Sequence, residues 1–166
     1  MRRYALVAVA AAVGFCAGLP LYADSTTAVI QISASVRKNC LISTTAVAYG
    51  AYDPVAANAT APLDATGAVV ITCTKGTNAS IGLDGGANAQ GPTRRMTDGA
   101  TAYLTYDLFQ DNAHSVVWTN TGSGMMTIPA APSKNPRSFT VYGRVAGAQD
   151  VPVGTFNDSV VATVNF

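Results

Sequence analysis

The stretch RRMTDGATAYLTYDLFQD, residues 94–111, combines a turn with strong side-chain alternation, a combination typical of β structure. Its Asp98-Gly99 pair predicts a tight turn, because Asp bonds its own backbone there and Gly tolerates positive φ. After the turn the side chains alternate between two faces, which is the period of a half-buried strand. One face would carry Tyr103, Thr105, Asp107 and Phe109, and the other Ala102, Leu104, Tyr106 and Leu108.

The rest of the chain has the same β character. Its acidic residues are all Asp, without Glu, and Asp favours turns whereas Glu favours helices. No segment shows sustained helical periodicity, while residues 55–67 are predicted to form a loop and residues 121–136 a loop with a short edge strand. About seven short strands remain, which predicts an all-β sandwich. They fall within 41–54, 68–74, 79–86, 102–110, 114–120, 137–147 and 154–166.

The N-terminus is typical of a secretory signal peptide. A positive start, Met1-Arg2-Arg3, precedes a long apolar run and the small-residue site Leu21-Tyr22-Ala23. We predict that residues 1–23 form this peptide; a lipid-modified Cys16 is the weaker alternative, because bulky Phe15 precedes it. Two of the ten Lys and Arg residues lie here, so the remaining chain is nearly neutral. This balance does not favour nucleic acid or an anionic membrane as a partner.

The cysteines predict a disulfide, and the remaining titratable residues do not form a recognisable active site. Cys40 and Cys73 are the cysteines outside the signal peptide, and in an exported chain such a pair predicts a disulfide, with two buried thiols as the alternative. His114, the one histidine, lies in a predicted turn as an exposed residue without a nucleophile motif around it. We therefore expect no enzyme activity and no small-molecule substrate. No metal or cofactor is expected either, since the Asp residues near turns form no calcium loop.

Two further features have ordinary interpretations. The doublet Arg94-Arg95 predicts a solvated loop. Strand aromatics such as Trp118 predict core packing, with exposed carbohydrate-binding aromatics as the alternative.

Both ends of the predicted mature chain are amphipathic strands. In TTAVIQISASV, residues 26–36, every second side chain from Ala28 is apolar. This segment either joins the sheet of its own domain or adds to the edge of another molecule. At the other end, Val160, Ala162, Val164 and Phe166 share one face, and Phe166 would ordinarily end a core strand.

An ordered set of short motifs runs along the chain. It consists of KNC at Cys40, VVITCTKG at Cys73, Arg95-Met96, Leu104-x-Tyr106-x-Leu108-Phe109, Trp118, Tyr142-Gly143-Arg144 and Gly154-x-Phe156-x-Asp158. Together these motifs resemble the spore coat protein U domain, which is shared with subunits of Csu-type archaic chaperone-usher pili. The resemblance covers essentially the whole predicted mature chain.

The resemblance implies an immunoglobulin-like sandwich that lacks its last strand. Such a domain is completed by a donor strand, first from a periplasmic chaperone and then from the next subunit. Residues 24–39 would be the N-terminal donor extension and residues 40–166 the pilin domain. The donor side chains would be Ala28, Ile30, Ile32, Ala34 and Val36, and the strand beside the groove would carry Val160, Ala162, Val164 and Phe166.

The same resemblance implies a structural rather than an enzymatic function. The expected protein is a pilus subunit, exported to the periplasm and then to the cell surface, that supports adhesion and biofilm formation. Its expected partners are identical or related subunits, the chaperone and the outer-membrane usher. The alternative is a secreted spore or cell coat protein that is not built into an usher-dependent fibre.

Overall fold

The computed structural model describes residues 23–166, so the predicted signal peptide, with Cys16, lies outside the described residues apart from Ala23. The chain divides into two compact units, Met1–Ser35 and Val36–Phe166. The described part of the first unit, residues 23–35, contains no helix or strand. Across the described residues, no helix has the length and apolar character needed to cross a membrane.

The second unit is built almost entirely of short strands. Within residues 36–166 there are eight strands and one 3-10 helix, Gly122–Gly124. The strands coincide with the β-branched and alternating stretches of the sequence. They are β1 (Cys40–Thr45), β2 (Leu63–Cys73), β3 (Ala79–Leu83), β4 (Arg94–Thr97), β5 (Tyr103–Phe109), β6 (Met126–Ile128), β7 (Arg137–Val145) and β8 (Ala162–Asn165).

These strands form two antiparallel sheets. The five-stranded sheet has the order β1-β2-β7-β5-β4, and the three-stranded sheet has the order β6-β3-β8. In an immunoglobulin fold, one sheet holds strands A, B, E and D and the other holds C, F and G. Here β1, β2, β7 and β5 take the A, B, E and D positions, and β3 and β8 take C and F. The predicted immunoglobulin-like all-β sandwich is confirmed.

Apolar side chains from both inner faces make the core. In β5, Leu104, Tyr106 and Leu108 are buried while Tyr103 and Asp107 are exposed, as the alternation predicts. Trp118 is also fully buried, and its Nε1–H donates to the carbonyl oxygen of Ile81 at 2.9 Å. Trp118 therefore belongs to the core, and the alternative of an exposed carbohydrate-binding aromatic is wrong for this residue. The largest fully buried side chains are Trp118, Ile71, Ile81, Val69, Val145 and Thr77.

Two of the segments that differ from their predicted structure lie beside β7 and β5. Residues 63–67, predicted as loop, begin β2, because β7 is long enough to pair with them up to Leu63↔Val145. Residues 114–120, predicted as a strand, form only an isolated bridge to Phe109. Their backbone crosses from one sheet to the other: the Trp118 N–H donates to a carbonyl of β5, and the Thr119 carbonyl accepts an N–H from β3. Because its backbone hydrogen bonds are divided between the two sheets, this segment forms no continuous strand pairing with either of them.

A disulfide joins β1 to β2, as predicted. Cys40 and Cys73 face each other in the antiparallel register and their sulfurs are bonded. The bond links residues 33 positions apart, so it restricts a substantial loop in the unfolded chain.

Replacing both cysteines with serine should lower the free energy of unfolding by roughly 3 to 4 kcal/mol, because the unfolded chain regains the entropy of that loop. A denaturant titration of the oxidised protein measures the change. Wild-type protein in reducing agent is the control and should match the Cys40→Ser/Cys73→Ser variant. Equal stability of the oxidised and reduced proteins would contradict this account.

Candidate functional site

Strand β8 lies at the edge of the three-stranded sheet. It pairs through one edge with β3, from Leu83↔Ala162 to Ser80↔Asn165. Its other edge pairs with no strand of the described residues. An unpaired edge exposes a row of backbone N–H and C=O groups that can accept another strand.

Beside this edge an apolar groove of about 960 Å³ opens to solvent. One wall is formed by residues 44–54, which follow and include the end of β1, and the other by residues 151–162, which lead into β8. The floor is the inner face of the five-stranded sheet together with the end of β3. Its apolar side chains include Leu63, Val69, Leu83, Met96, Leu104, Leu108, Val141 and Val145.

Two glycines let the first wall approach the floor closely. A Cβ added at Gly67 would lie 2.8 Å from Cγ2 of Val47, and one added at Gly143 would lie 2.7 Å from its Cγ1. Both distances are too short for carbon atoms in contact. Val47 and Tyr49 therefore pack directly on β2 and β7, so residues 46–53 form a wall although they belong to no strand. The prediction of strand structure within 41–54 is therefore wrong beyond Thr45, because Val47 and Tyr49 pack on the floor without joining a ladder.

The groove contains two phenols. Tyr106 Oη donates to Asp158 Oδ2 at 2.6 Å, and burial, followed by this hydrogen bond, raises the pKa of Tyr106. Burial also raises the pKa of Tyr49, whose Oη has no hydrogen-bond partner among the described residues. The two rings lie 6.2 Å apart, centre to centre. Both phenols are therefore neutral at ordinary pH, and the groove suits an uncharged apolar occupant.

The second wall is fastened by two carboxylates. Asp158 accepts hydrogen bonds from Tyr106 and, through Oδ1, from the side chain of Asn88 at 2.9 Å. Asp84 Oδ1 accepts the Val161 N–H at 2.9 Å. These bonds occupy the lead-in to β8, and for this reason the strand begins only at Ala162 rather than throughout the predicted 154–166 segment.

Arg94 is buried, which corrects the prediction of a solvated loop. It lies in β4 with only 3% of its surface exposed, because it shares the inward-facing alternation with Met96. Its guanidinium donates at 2.6–3.0 Å to the carbonyl oxygens of Leu83, Asp84 and Trp118. Burial lowers the pKa of Arg94, but from so high a value that the group stays charged. Arg94 thus ties the five-stranded sheet to the end of β3.

Arg95 points to the opposite face of β4. Its guanidinium lies 4.0 Å from the ring centre of Tyr103, a cation–π contact on the surface. The two neighbouring arginines therefore have different environments, one in the core and one at the surface.

His114 is not the exposed turn residue that the sequence predicts. Its positive φ of 55° turns the ring back onto the outer face of the five-stranded sheet, where it packs against Phe109 and Tyr142. The side chain is 8% exposed, and its Nε2 lies 3.8 Å from Asp64 Oδ1. Asp64 in turn binds Arg144 through both carboxylate oxygens at 2.7 Å. Among the described residues, no cluster of three or more His, Cys, Asp or Glu could hold a metal ion.

The C-terminal residues that the sequence predicts to border the groove lie partly in the groove and partly at the surface. Val160, Ala162 and Val164 are half-buried and pack against the core, and the first two line the groove. Phe166 is 51% exposed, so it does not end the strand as a core residue. It lies instead in a shallow surface depression beside Ile128 and Pro129.

The predicted donor side chains lie in a segment without secondary structure. Residues 23–39 form no strand, and within this range Ile32 is 91% exposed. Their assignment to a neighbour's groove stays a prediction. The side chains concerned, all exposed, are Ala28, Ile30, Ile32, Ala34 and Val36.

Comparisons with known proteins agree with the sequence motifs. The model of the family described as Spore Coat Protein U domain matches residues 26–163. A curated relative, Protein U of Myxococcus xanthus, is 37% identical over 176 aligned positions, which cover 98% of this chain and 97% of the relative.

A solved structure shares the fold at lower identity. It is the CsuC–CsuE chaperone–tip adhesion subunit pre-assembly complex from archaic chaperone-usher Csu pili of Acinetobacter baumannii. One of its chains matches with a TM-score of 0.56 and 20% identity, covering 79% of this chain. The present chain spans 40% of that solved chain. At this identity the likeness concerns the fold.

Replacing Arg94 with methionine should lower the free energy of unfolding by roughly 2 to 4 kcal/mol, because three carbonyl groups, two of them in buried hydrogen bonds, lose this donor. The neighbouring substitution Arg95→Met is the matched control, and we expect it to cost less than about 1.5 kcal/mol at its partly exposed position. Denaturant titration of both variants gives the comparison. Equal losses would show that the buried guanidinium is not a principal tie between the sheets.

Proposed function

Since this chain belongs to the spore coat protein U domain family, we propose that it is a structural subunit of a surface pilus assembled by the chaperone-usher pathway. In this proposal the subunit binds its neighbours and transforms no substrate. The fibre would reach the cell surface through the periplasm, after removal of residues 1–23, and would support adhesion and biofilm formation.

The groove beside β8 is the observation that carries the proposal. In an immunoglobulin fold, strand G lies next to strand F. Strand β8 takes the F position, and its free edge borders the apolar groove. A strand inserted there would extend the three-stranded sheet and fill the space between the two walls of the groove.

The N-terminal extension, residues 24–39, is suited to fill the same groove in another copy. Its alternating apolar side chains are exposed in the chain that carries them. Strand addition gives affinity through backbone hydrogen bonds and specificity through alternate side chains in pockets. Full burial of Ile30, Ile32 and Val36 would contribute roughly 5 to 8 kcal/mol before the cost of ordering the segment. Ala28 and Ala34 would need only shallow pockets.

Before assembly, the groove requires temporary protection. An open apolar groove beside an unpaired strand edge is an aggregation site. A periplasmic chaperone that inserts its own strand would cover both, and the usher would then exchange that strand for the extension of the next subunit. The solved structure of similar fold is a chaperone–tip subunit complex that precedes assembly, which supports this order of events. The strand held by the chaperone would be β8 with its flanks, Val160 to Phe166.

A second candidate is a secreted coat protein that packs on a spore or cell surface without an usher. The family description and the full-length likeness to Protein U favour it. The two candidates differ in the role of residues 24–36, since an usher-built fibre requires these residues to enter a neighbouring groove.

Replacing Ile32 with aspartate should abolish assembly, because a carboxylate would have to be buried in an apolar groove. We expect the mature chain, produced with its chaperone, to fold normally but to form heat-labile ladders at least about 100-fold less efficiently. Electrophoresis of unheated samples measures the ladders.

The neighbouring substitution Ser33→Asp is the matched control. It adds the same charge on the other face of the segment, and it should reduce assembly far less. Unimpaired ladders from Ile32→Asp, or a stable soluble monomer made without any chaperone, would contradict donor-strand assembly.

A further inference from the structure

Positive charge collects at one end of the Val36–Phe166 unit. At this end β1 and β7 begin and β2 ends, since Cys40 pairs with Cys73 and Ile71 with Arg137. Residues 36–39, the β2–β3 connection and the β6–β7 connection meet here, and these segments contain no acidic residue. The basic residues of this end, named here the basic pole, are Arg37, Lys38, Lys75, Lys134 and Arg137.

Negative charge collects at the opposite end. There β2 begins, β7 ends and β4 turns into β5, since Leu63 pairs with Val145 and Thr97 with Tyr103. The connections at this end are residues 46–62, 98–102 and 146–161, and they contain no Lys or Arg. Their acidic residues, named here the acidic pole, are Asp53, Asp98, Asp150 and Asp158.

Two of the three other arginines of the unit are engaged within the domain. Arg94 donates to carbonyl groups, and Arg144 is paired with Asp64. Arg95, in β4 next to the acidic pole, donates to Asn88 and Gln90 and lies over the Tyr103 ring. In the described residues, the exposed side chains of Lys75, Lys134 and Asp150 take part in no ion pair or hydrogen bond. These three side chains therefore leave charge at each pole for a partner to neutralise.

The orientation of an inserted strand brings unlike poles together. A strand at the G position runs antiparallel to β8, as neighbours do in the sheets of this fold. Strand β8 starts at the acidic pole and ends near the basic pole, because Ala162 pairs with Leu83 and Asn165 with Ser80. The C-terminal end of an antiparallel donor strand therefore lies at the acidic pole of the acceptor, and the donor's own domain follows it there.

The connection between donor strand and donor domain is short. Residues 37–39 span at most roughly 10 Å when extended, which is about one Debye length at physiological salt. Thr74 shortens the free length further, since its N–H donates to the carbonyl oxygen of Asn39 at 2.9 Å and its hydroxyl to that of Arg37 at 3.3 Å. The basic pole is thereby held close to whichever groove accepts the strand.

We propose that the acidic pole of one copy is a docking surface for the basic pole of the next copy, and that this contact speeds and orients strand exchange. The inference rests on the proposed function, because it assumes that residues 24–36 enter a neighbour's groove. The contact acts mainly on the rate of association, as expected for exposed charges at the rim of an interface.

Neutralising the basic pole tests the proposal. The variant Lys75→Gln/Lys134→Gln should assemble on the order of tenfold more slowly than wild type at about 20 mM salt, and nearly as fast at about 500 mM salt. The control Thr66→Glu/Thr140→Glu alters net charge by the same amount on the exposed outer face of the five-stranded sheet, and should assemble at the wild-type rate. Unheated electrophoresis over time gives the rates, and circular dichroism checks folding.

Charge reversal across the contact gives a second test. The variant Asp150→Lys should slow assembly, and mixing it with Lys75→Glu should restore part of the lost rate at low salt. Equal rates for wild type, the neutralised variant and the single reversals at low salt would overturn the docking surface.

A synthetic peptide of residues 24–36 separates this inference from the proposed function. It lacks both poles, so it should bind the mature wild-type chain and Asp150→Lys with equal affinity. Binding of the peptide without any effect of the charge variants would overturn the docking surface alone. Failure of the peptide to bind would overturn donor-strand assembly and, with it, the inference.

Discussion

The inner face of the five-stranded sheet needs an apolar cover, and the three-stranded sheet is too narrow to supply all of it. Burial of this face stabilises the fold by about 25 cal/mol per Å² of apolar surface. Beyond β8 the cover comes from residues 44–54 and 151–162 instead of strands, and an apolar groove lined by Leu63, Val141 and Val145 remains between these two walls. The position of the groove, the need for an occupant and the amphipathic character of a suitable occupant all follow from this one mismatch in width.

Since no strand fills the groove beside β8, the two sheets are held together by other contacts. Arg94 reaches from β4 to three carbonyl groups at the end of β3 and beyond, and Trp118 reaches from the crossing segment to Ile81. Tyr106 and Asp158 join the five-stranded sheet to the lead-in of β8. These contacts are directional hydrogen bonds, so they hold the sheets at a fixed separation without filling the space between them. The groove is consequently preformed rather than collapsed.

The sequence predicts the strands well where side-chain alternation alone decides the structure. The alternation in β5 and the β-branched run of β2 belong to this group. The pairing of Cys40 with Cys73 was predictable for another reason, since they are the two cysteines outside the predicted signal peptide. Prediction failed where a long-range partner decides. Arg94 is buried because distant carbonyl groups receive it, His114 is covered because its turn folds back onto the sheet, and the segment at Trp118 is drawn out of a ladder by bonds to both sheets. No local pattern encodes such partners.

The disulfide has a mechanical consequence in any fibre made of such subunits. Tension along the fibre would enter each domain through residues 37–39 and arrive first at β1, an edge strand held on one side by hydrogen bonds. Pulling on the end of an edge strand breaks such bonds one after another, as in unzipping. Because Cys40 is the first residue of β1 and is bonded to Cys73, the force passes covalently into β2, which lies between two strands of its sheet. The disulfide thus transfers part of the tension from the edge strand β1 to β2.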